Sequence, residues 1–232
     1  INSPLYNGIS YVIIPSYNFK VEGFYMSNGE LRIGISGGTF DPIHYGHLII
    51  AENAREKFSL DKVIFMPSGR PPHKDNSQIT SGEHRYRMVC KATASNPFFE
   101  VSRIELERPG YTYTIDTLTE LKGLLGHSKL FFITGADVVP EIVSWKDYEN
   151  VFKICEFIVF IRPGYGKNET VARIEALKRD FGAAINIAKP PLIGISSTDI
   201  RERIKNLRSI KYMVPEEVER HIYENRLYEK QM

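Results

Sequence analysis

From Leu31 onward the chain alternates short apolar runs, each the length of one strand, with amphipathic stretches of helical period. That alternation admits few folds, because a strand followed by a helix returns most readily to a parallel neighbour, and the helices then cover the sheet faces. Strands are predicted at Arg32–Ser36, Lys62–Met66, Phe99–Arg103, Leu130–Thr134, Phe157–Arg162 and Ala184–Ile187. Helices are predicted at Gly46–Phe58, Glu83–Ser95, Thr114–Leu125, Glu169–Phe181, Ser197–Asn206 and Pro215–Asn225, the last opening on a proline as first turns often do. The expected class is α/β: a doubly wound, mainly parallel sheet with helices on both faces. In such a sheet a ligand crevice lies beyond the carboxyl ends of the strands, where strand order reverses.

The first predicted strand runs into Gly37-Gly38-Thr39-Phe40-Asp41-Pro42-Ile43-His44-Tyr45-Gly46-His47-Leu48. Two glycines let backbone N–H groups approach a phosphate, since no Cβ stands in the way and unusual φ values cost little. The loop feeds a helix whose N-terminal dipole favours an anion, and His44 and His47, three residues apart near its start, can share a face directed at that anion. Near the other end, Ile195-Ser196-Ser197-Thr198-Asp199-Ile200-Arg201 is a hydroxyl-rich turn at a helix start, with an arginine fork one turn later. By itself it reads as an ordinary N-cap. Joined to the histidine loop it becomes a second phosphate-binding element.

Together these two elements resemble the H-x-G-H nucleotidyltransferase superfamily, whose fold is Rossmann-like, and within it the bacterial nicotinate-nucleotide adenylyltransferases. The likeness extends from about Leu31 to the C-terminus, and three further stretches point to that branch. Pro71-Pro72-His73-Lys74 resembles a loop near the mononucleotide phosphate, with Lys74 supplying charge. Tyr113-Thr114-Ile115-Asp116-Thr117-Leu118 resembles a segment in which the threonine at 114 helps bind the pyridine carboxylate, while Asp116 reads as a helix cap. Gly135-Ala136-Asp137, followed by Trp145, resembles a segment whose aspartate contacts ribose and whose tryptophan stacks on the nicotinate ring. Arg162-Pro163-Gly164 resembles a loop near adenine, and the ending from Tyr212 to Tyr228 reads as a packing helix.

The resemblance implies that AMP passes from ATP to nicotinic acid mononucleotide, forming deamido-NAD and pyrophosphate by direct displacement without a protein nucleophile. His47, His44 and Arg201 carry the catalytic expectation. ATP binding is expected at Gly37, Gly38, Thr39 and Phe40, at both histidines, at Asp137, and at Ser196, Ser197, Thr198 and Arg201. The mononucleotide is expected at Lys74, Thr114, Gly135 and Trp145. Mg²⁺ is expected on ATP, with no dedicated protein ligand, because this ion keeps phosphates and waters as its partners. Rival readings are a related transferase with another acceptor, such as the amide mononucleotide or phosphopantetheine, a cytidylyltransferase, and a non-catalytic nucleotide sensor that keeps the fold.

Composition narrows the remaining possibilities. At 232 residues and 42% apolar, the chain suits a single domain, expected over residues 26–232. Ile1–Tyr25 carries little charge and reads unlike the rest, an extension of uncertain origin, with Met26 as an ordinary start just before the first strand. Its longest apolar stretch, Ile9–Pro15, is far short of the roughly 20 residues that span a bilayer, so neither membrane insertion nor export is expected. A net charge of +2 offers no broad surface for nucleic acid or anionic membrane. Cys90 and Cys155 lack a C-x-x-C partner, which suits a reducing cytoplasm. Self-association into a homo-oligomer is left open.

Overall fold

A computed structural model describes residues 30–71, 79–161, 167–189 and 194–230. Ile1–Tyr25, Lys74 and Arg162–Gly164 fall outside the described residues. Six strands form one sheet: β1 (Leu31–Gly38), β2 (Lys62–Pro67), β3 (Phe99–Val101), β4 (Ser128–Gly135), β5 (Cys155–Phe160) and β6 (Ile185–Ala188). Their order is β3-β2-β1-β4-β5-β6, and every pairing is parallel. The chain therefore winds outward from β1 in one direction, returns to place β4 on the other side of β1, and winds outward again. The reversal falls between β1 and β4, which is where a crevice opens.

Strand periodicity explains the two cores. Ile33 and Ile35 of β1, Ile64 and Met66 of β2, and Phe157 and Val159 of β5 point to one face, while Val63, Phe65, Phe131, Ile133, Ile158 and Phe160 point to the other. With both faces covered, these strands carry near-continuous apolar runs. The first face is covered by α4 (Thr114–Leu125), α5 (Tyr148–Ile154) and α6 (Lys167–Phe181), through Leu118, Leu121, Val151, Ile174 and Leu177. The second is covered by α1 (Tyr45–Lys57), α2 (Gly82–Thr93), α7 (Ser197–Lys205) and α8 (Glu216–Glu224), through Ala51, Met88, Val89, Ile200 and Val218.

Several boundaries differ from the sequence-based expectation. β1 continues to Gly38 because Gly37 and Gly38 pair with Met66 and Pro67 of β2, so the phosphate loop starts two residues later than the apolar run suggests. β5 starts at Cys155, where pairing with Leu130 begins. β3 ends at Val101, and its continuation turns into a short helix, α3 (Ile104–Glu107). Pro215 is the N-cap of α8 and Glu216 its first residue. Both α3 and α5 escape periodicity analysis because, at 4 and 7 residues, neither presents a repeating stripe. Among the described residues no helix is long and apolar enough to cross a membrane.

Candidate active site

The histidine loop leaves β1 at Gly38 and enters α1 with His44 as the N-cap in extended conformation. His44 donates its backbone N–H to Nδ1 of His47 at 3.2 Å, and the two rings stack with centroids 3.7 Å apart. His47 thus fills the third helical position of a capping box with an imidazole in place of the usual carboxylate, while its own backbone N–H goes to the His44 carbonyl at 3.0 Å. Because Nδ1 of His47 accepts, the proton of the neutral ring sits on Nε2, where it serves as a donor. Gly46 is required for the stack: a Cβ there would lie 2.9 Å from two atoms of the His44 ring.

The loop achieves its turn differently from the expectation. Gly37 and Gly38 are the end of a strand, and what they provide is room, since a Cβ on either would lie 3.3 Å from the ring of Phe132 or Phe40. The left-handed residue is Phe40, at φ 50°. Its side chain is buried, edge-on to His47 at 5.1 Å and tilted against Phe65, so Phe40 supports the histidine and can offer a ligand only its backbone.

The second motif docks directly on the first. Ser196 caps α7 by accepting the backbone N–H of Asp199 at 3.1 Å. Ser197 donates its hydroxyl to the Pro42 carbonyl at 2.8 Å, across 155 residues of chain. Arg201 donates Nη1 to the Asp41 carbonyl at 2.7 Å and Nη2 to the Thr198 hydroxyl at 3.3 Å. The N-termini of α1 and α7 thus converge, and a Cβ on Gly46 would already stand 3.7 Å from the Ile195 carbonyl. Two positive dipole ends, two imidazoles and a guanidinium at one place favour a polyanion.

Beside this place, over the β1–β4 reversal, lies a cavity of about 250 Å³. Gly37, Gly38 and Thr39 border it on one side, Thr114, Trp145 and Lys146 on the other. Thr114 is the first residue of α4, and Trp145 follows a short 3-10 turn, Ile142–Ser144, that delivers the indole against Phe132 at 5.6 Å and Phe157 at 6.3 Å. One side of the indole is thereby packed, and it remains part of the cavity wall. Lys146 pairs with Asp116 at 3.0 Å and lies 4.7 Å from the Tyr113 ring centroid, joining the tryptophan segment to the start of α4. The other charged side chain among the described lining residues is Glu105, which accepts the Thr117 hydroxyl at 3.0 Å. Burial pushes the Glu105 carboxyl up, while hydrogen bonds from Thr117 and Thr112 oppose it.

Gly135, the last residue of β4, and Asp137, just beyond it, were both expected to touch ligand and lie outside this cavity wall; the Asp137 carboxylate folds back over Gly135, where a Cβ would collide with it. Behind the histidine loop are three residues that motif reading passes over. Arg85, 2% exposed, donates to the carbonyls of Thr39 at 2.8 Å and Thr80 at 2.9 Å. Asp41, also buried, accepts the Tyr228 hydroxyl at 2.7 Å and the Thr80 N–H at 3.3 Å. The signal for Arg85 was present: with Met88, Val89 and Ala92 it occupies the apolar stripe of α2, where an unpaired cation would be costly. Tyr228 carries no such signal.

The fold and the paired phosphate elements define a nucleotidyltransferase of the α/β type, and comparison with known proteins agrees. The cytidylyltransferase-like family matches residues 35–203. A probable nicotinate-nucleotide adenylyltransferase of Thermoanaerobacter sp. (strain X514) is 52% identical over 87% of this chain and 96% of its own. Another, from Moorella thermoacetica, is 50% identical over 85% of this chain and 91% of its own. The chain belongs to the nicotinate-nucleotide adenylyltransferases, within the cytidylyltransferase-like family. In three dimensions it is similar to the Plasmodium falciparum nicotinic acid mononucleotide adenylyltransferase solved with NaAD, at a TM-score of 0.70 and 21% identity over 86% of this chain and 98% of that one, a likeness of fold.

Proposed function

We infer that this chain joins the AMP of ATP to the phosphate of nicotinic acid mononucleotide, releasing pyrophosphate and forming deamido-NAD. The observation that carries this reading is the adjacency of an anion site, made by two helix N-termini and the stacked histidines, to a cavity walled by Thr114 and Trp145. A mononucleotide oxygen attacks the α-phosphorus of ATP, the bond to the β-phosphate oxygen breaks, and pyrophosphate leaves. The transition state carries added charge on nonbridging oxygens, so donors fixed in advance lower its energy. Nε2–H of His47 is the donor to the reacting phosphate. His44, Arg201 and the N–H groups around Thr39 hold the triphosphate, while Ser196, Ser197 and Thr198 shape the second helix start.

Trp145 offers a face for the pyridine ring and Thr114 a hydroxyl for its carboxylate; Lys74 would add charge near the mononucleotide phosphate. A carboxylate accepts only, and so gains more from such donors than an amide does. Mg²⁺ fits this site as a companion of the triphosphate, with phosphate oxygens and water as ligands: Asp41, the acid of the histidine loop, already uses both carboxylate oxygens on Tyr228 and Thr80. When bound, the ion neutralises charge on the leaving pyrophosphate.

The test is pyrophosphate release from ATP and Mg²⁺ with either the acid or the amide mononucleotide. Turnover with the acid, and much less with the amide, is the expected result. Equal use of both would remove the acid specificity and leave the reaction class; use of neither, with ATP bound, would return the chain to another acceptor or to a sensor.

A further inference from the structure

We propose that Tyr228, at the far end of the chain, is a positioning residue for ATP: through Asp41 it holds the carbonyl that aims Arg201 at the triphosphate. The proposal rests on the reading of Arg201 given above. Tyr228 donates to Asp41 Oδ1 at 2.7 Å, and the carbonyl of the same Asp41 accepts Nη1 of Arg201 at 2.7 Å. One residue is therefore gripped by its side chain from one direction and by its backbone from the other. Thr80 N–H holds Oδ2 at 3.3 Å, and Arg85 fixes the Thr39 carbonyl two residues earlier at 2.8 Å, so the loop between β1 and α1 is clamped from behind along its length.

The ending of the chain is shaped to make this contact. After α8 the backbone passes through left-handed conformations at Arg226 (φ 49°) and Tyr228 (φ 66°), neither of them glycine. Such conformations are unfavourable for residues with a Cβ and persist where surrounding contacts compensate. Here Leu227 and Tyr228 pack on the second-face core, and the phenol reaches the buried carboxylate. Burial and the neighbouring Asp41 push the phenol well above its ordinary range, and the charge of Arg201 is close enough to pull the other way. Tyr228 accordingly remains a donor throughout the working pH range, and its fixed hydrogen bond determines where the Asp41 main chain sits. Of Arg201's five N–H donors, two are committed to Asp41 and Thr198, which orients the fork and leaves further donors for phosphate oxygens.

The experiment compares steady-state kinetics of the full-length protein and Tyr228→Phe, varying ATP and nicotinic acid mononucleotide separately, with thermal midpoints measured alongside. Loss of a hydrogen bond to a charged acceptor is expected to raise the KM for ATP about tenfold, with the KM for the mononucleotide within about twofold. Asp41→Asn, which gives up one acceptor oxygen at the same size, is expected to reproduce that split. In an Arg201→Ala background, Tyr228→Phe is expected to add nothing further, because the two act in series. Both KM values rising together, neither moving while the midpoint falls, or fully additive losses in the double variant would each overturn the proposal. Absence of turnover by the unaltered protein would instead overturn the reaction on which it rests.

Discussion

At the scale of single residues, the two histidines are made useful by what surrounds them. His44 occupies the cap position of α1 and His47 the third helical residue, so backbone geometry alone brings the rings together, and the N–H of His44 then assigns the tautomer of His47. Gly46 between them has no conformational reason to be glycine, since it lies inside a helix; it is there because the His44 ring needs the space a methyl group would take. Gly46→Ala should therefore displace His44 and lower turnover without unfolding the protein. The ceiling is His47→Ala, where loss of a transition-state donor should cost about 10²–10³ in kcat. Measured kcat and thermal midpoints for both variants check this, and a His47→Ala enzyme of near-normal turnover would remove His47 from the mechanism. The motif was legible from sequence; the reason for its glycine was not, because a close approach between a ring and a Cβ has no signature in residue order.

Secondary elements explain which contacts at the cavity are strong. Two segments meet there, the start of α4 with Thr114 and the stretch after the 3-10 turn Ile142–Ser144 with Trp145, and Lys146 joins them through Asp116. With side chains 51% and 38% exposed, that ion pair is worth only about 0–1 kcal/mol, whereas an aromatic face stacked on a heterocycle is worth about 1–3 kcal/mol. Trp145→Ala should accordingly raise the KM for the mononucleotide about tenfold or more, while Lys146→Ala should change it by less than about fivefold. Initial rates at saturating ATP distinguish the two, and an effect of Lys146→Ala equal to that of Trp145→Ala would mean the lysine touches the substrate. Sequence reading singled out Thr114 and Trp145, and the fold brings both to the cavity wall. It missed the bridge, because Asp116 and Lys146 each look like ordinary helix-end charges until the fold brings them together.

For the whole molecule, the parallel sheet and the covering of both its faces followed from alternation, and the helices longer than two turns were placed to within a few residues, whereas the strand order came only with the structure. What stayed hidden was the contribution of distant chain: the ending read as a packing helix does pack, but Tyr228 also reaches Asp41 across 187 residues. The same packing carries a pH dependence. His221 of α8 is buried and shares a hydrogen bond with His84 of α2, Nε2 to Nδ1 at 3.1 Å. Burial first, then the charges of His84, Lys91 and Arg87, lower the His221 pKa, with Glu224 opposing. The folded protein thus resists a proton that the unfolded chain accepts near pH 6.5, so stability is intact above that pH and declines as pH falls from there toward the depressed folded value. Thermal midpoints from pH 7.5 to 5 should fall, and His221→Gln should flatten the slope; an unchanged slope would assign the acid sensitivity to other groups.

The bonds that brace the histidine loop join Pro42 to Ser197, Asp41 to Arg201 and Asp41 to Tyr228, spans of 155, 160 and 187 residues. A chain emerging from the ribosome would therefore present its glycine loop and both histidines well before Ser197, Arg201 and Tyr228 exist to brace them. The loop is braced by residues that arrive 155 or more positions later, so a fragment ending before Ser197 would carry the histidine motif without the contacts that hold it.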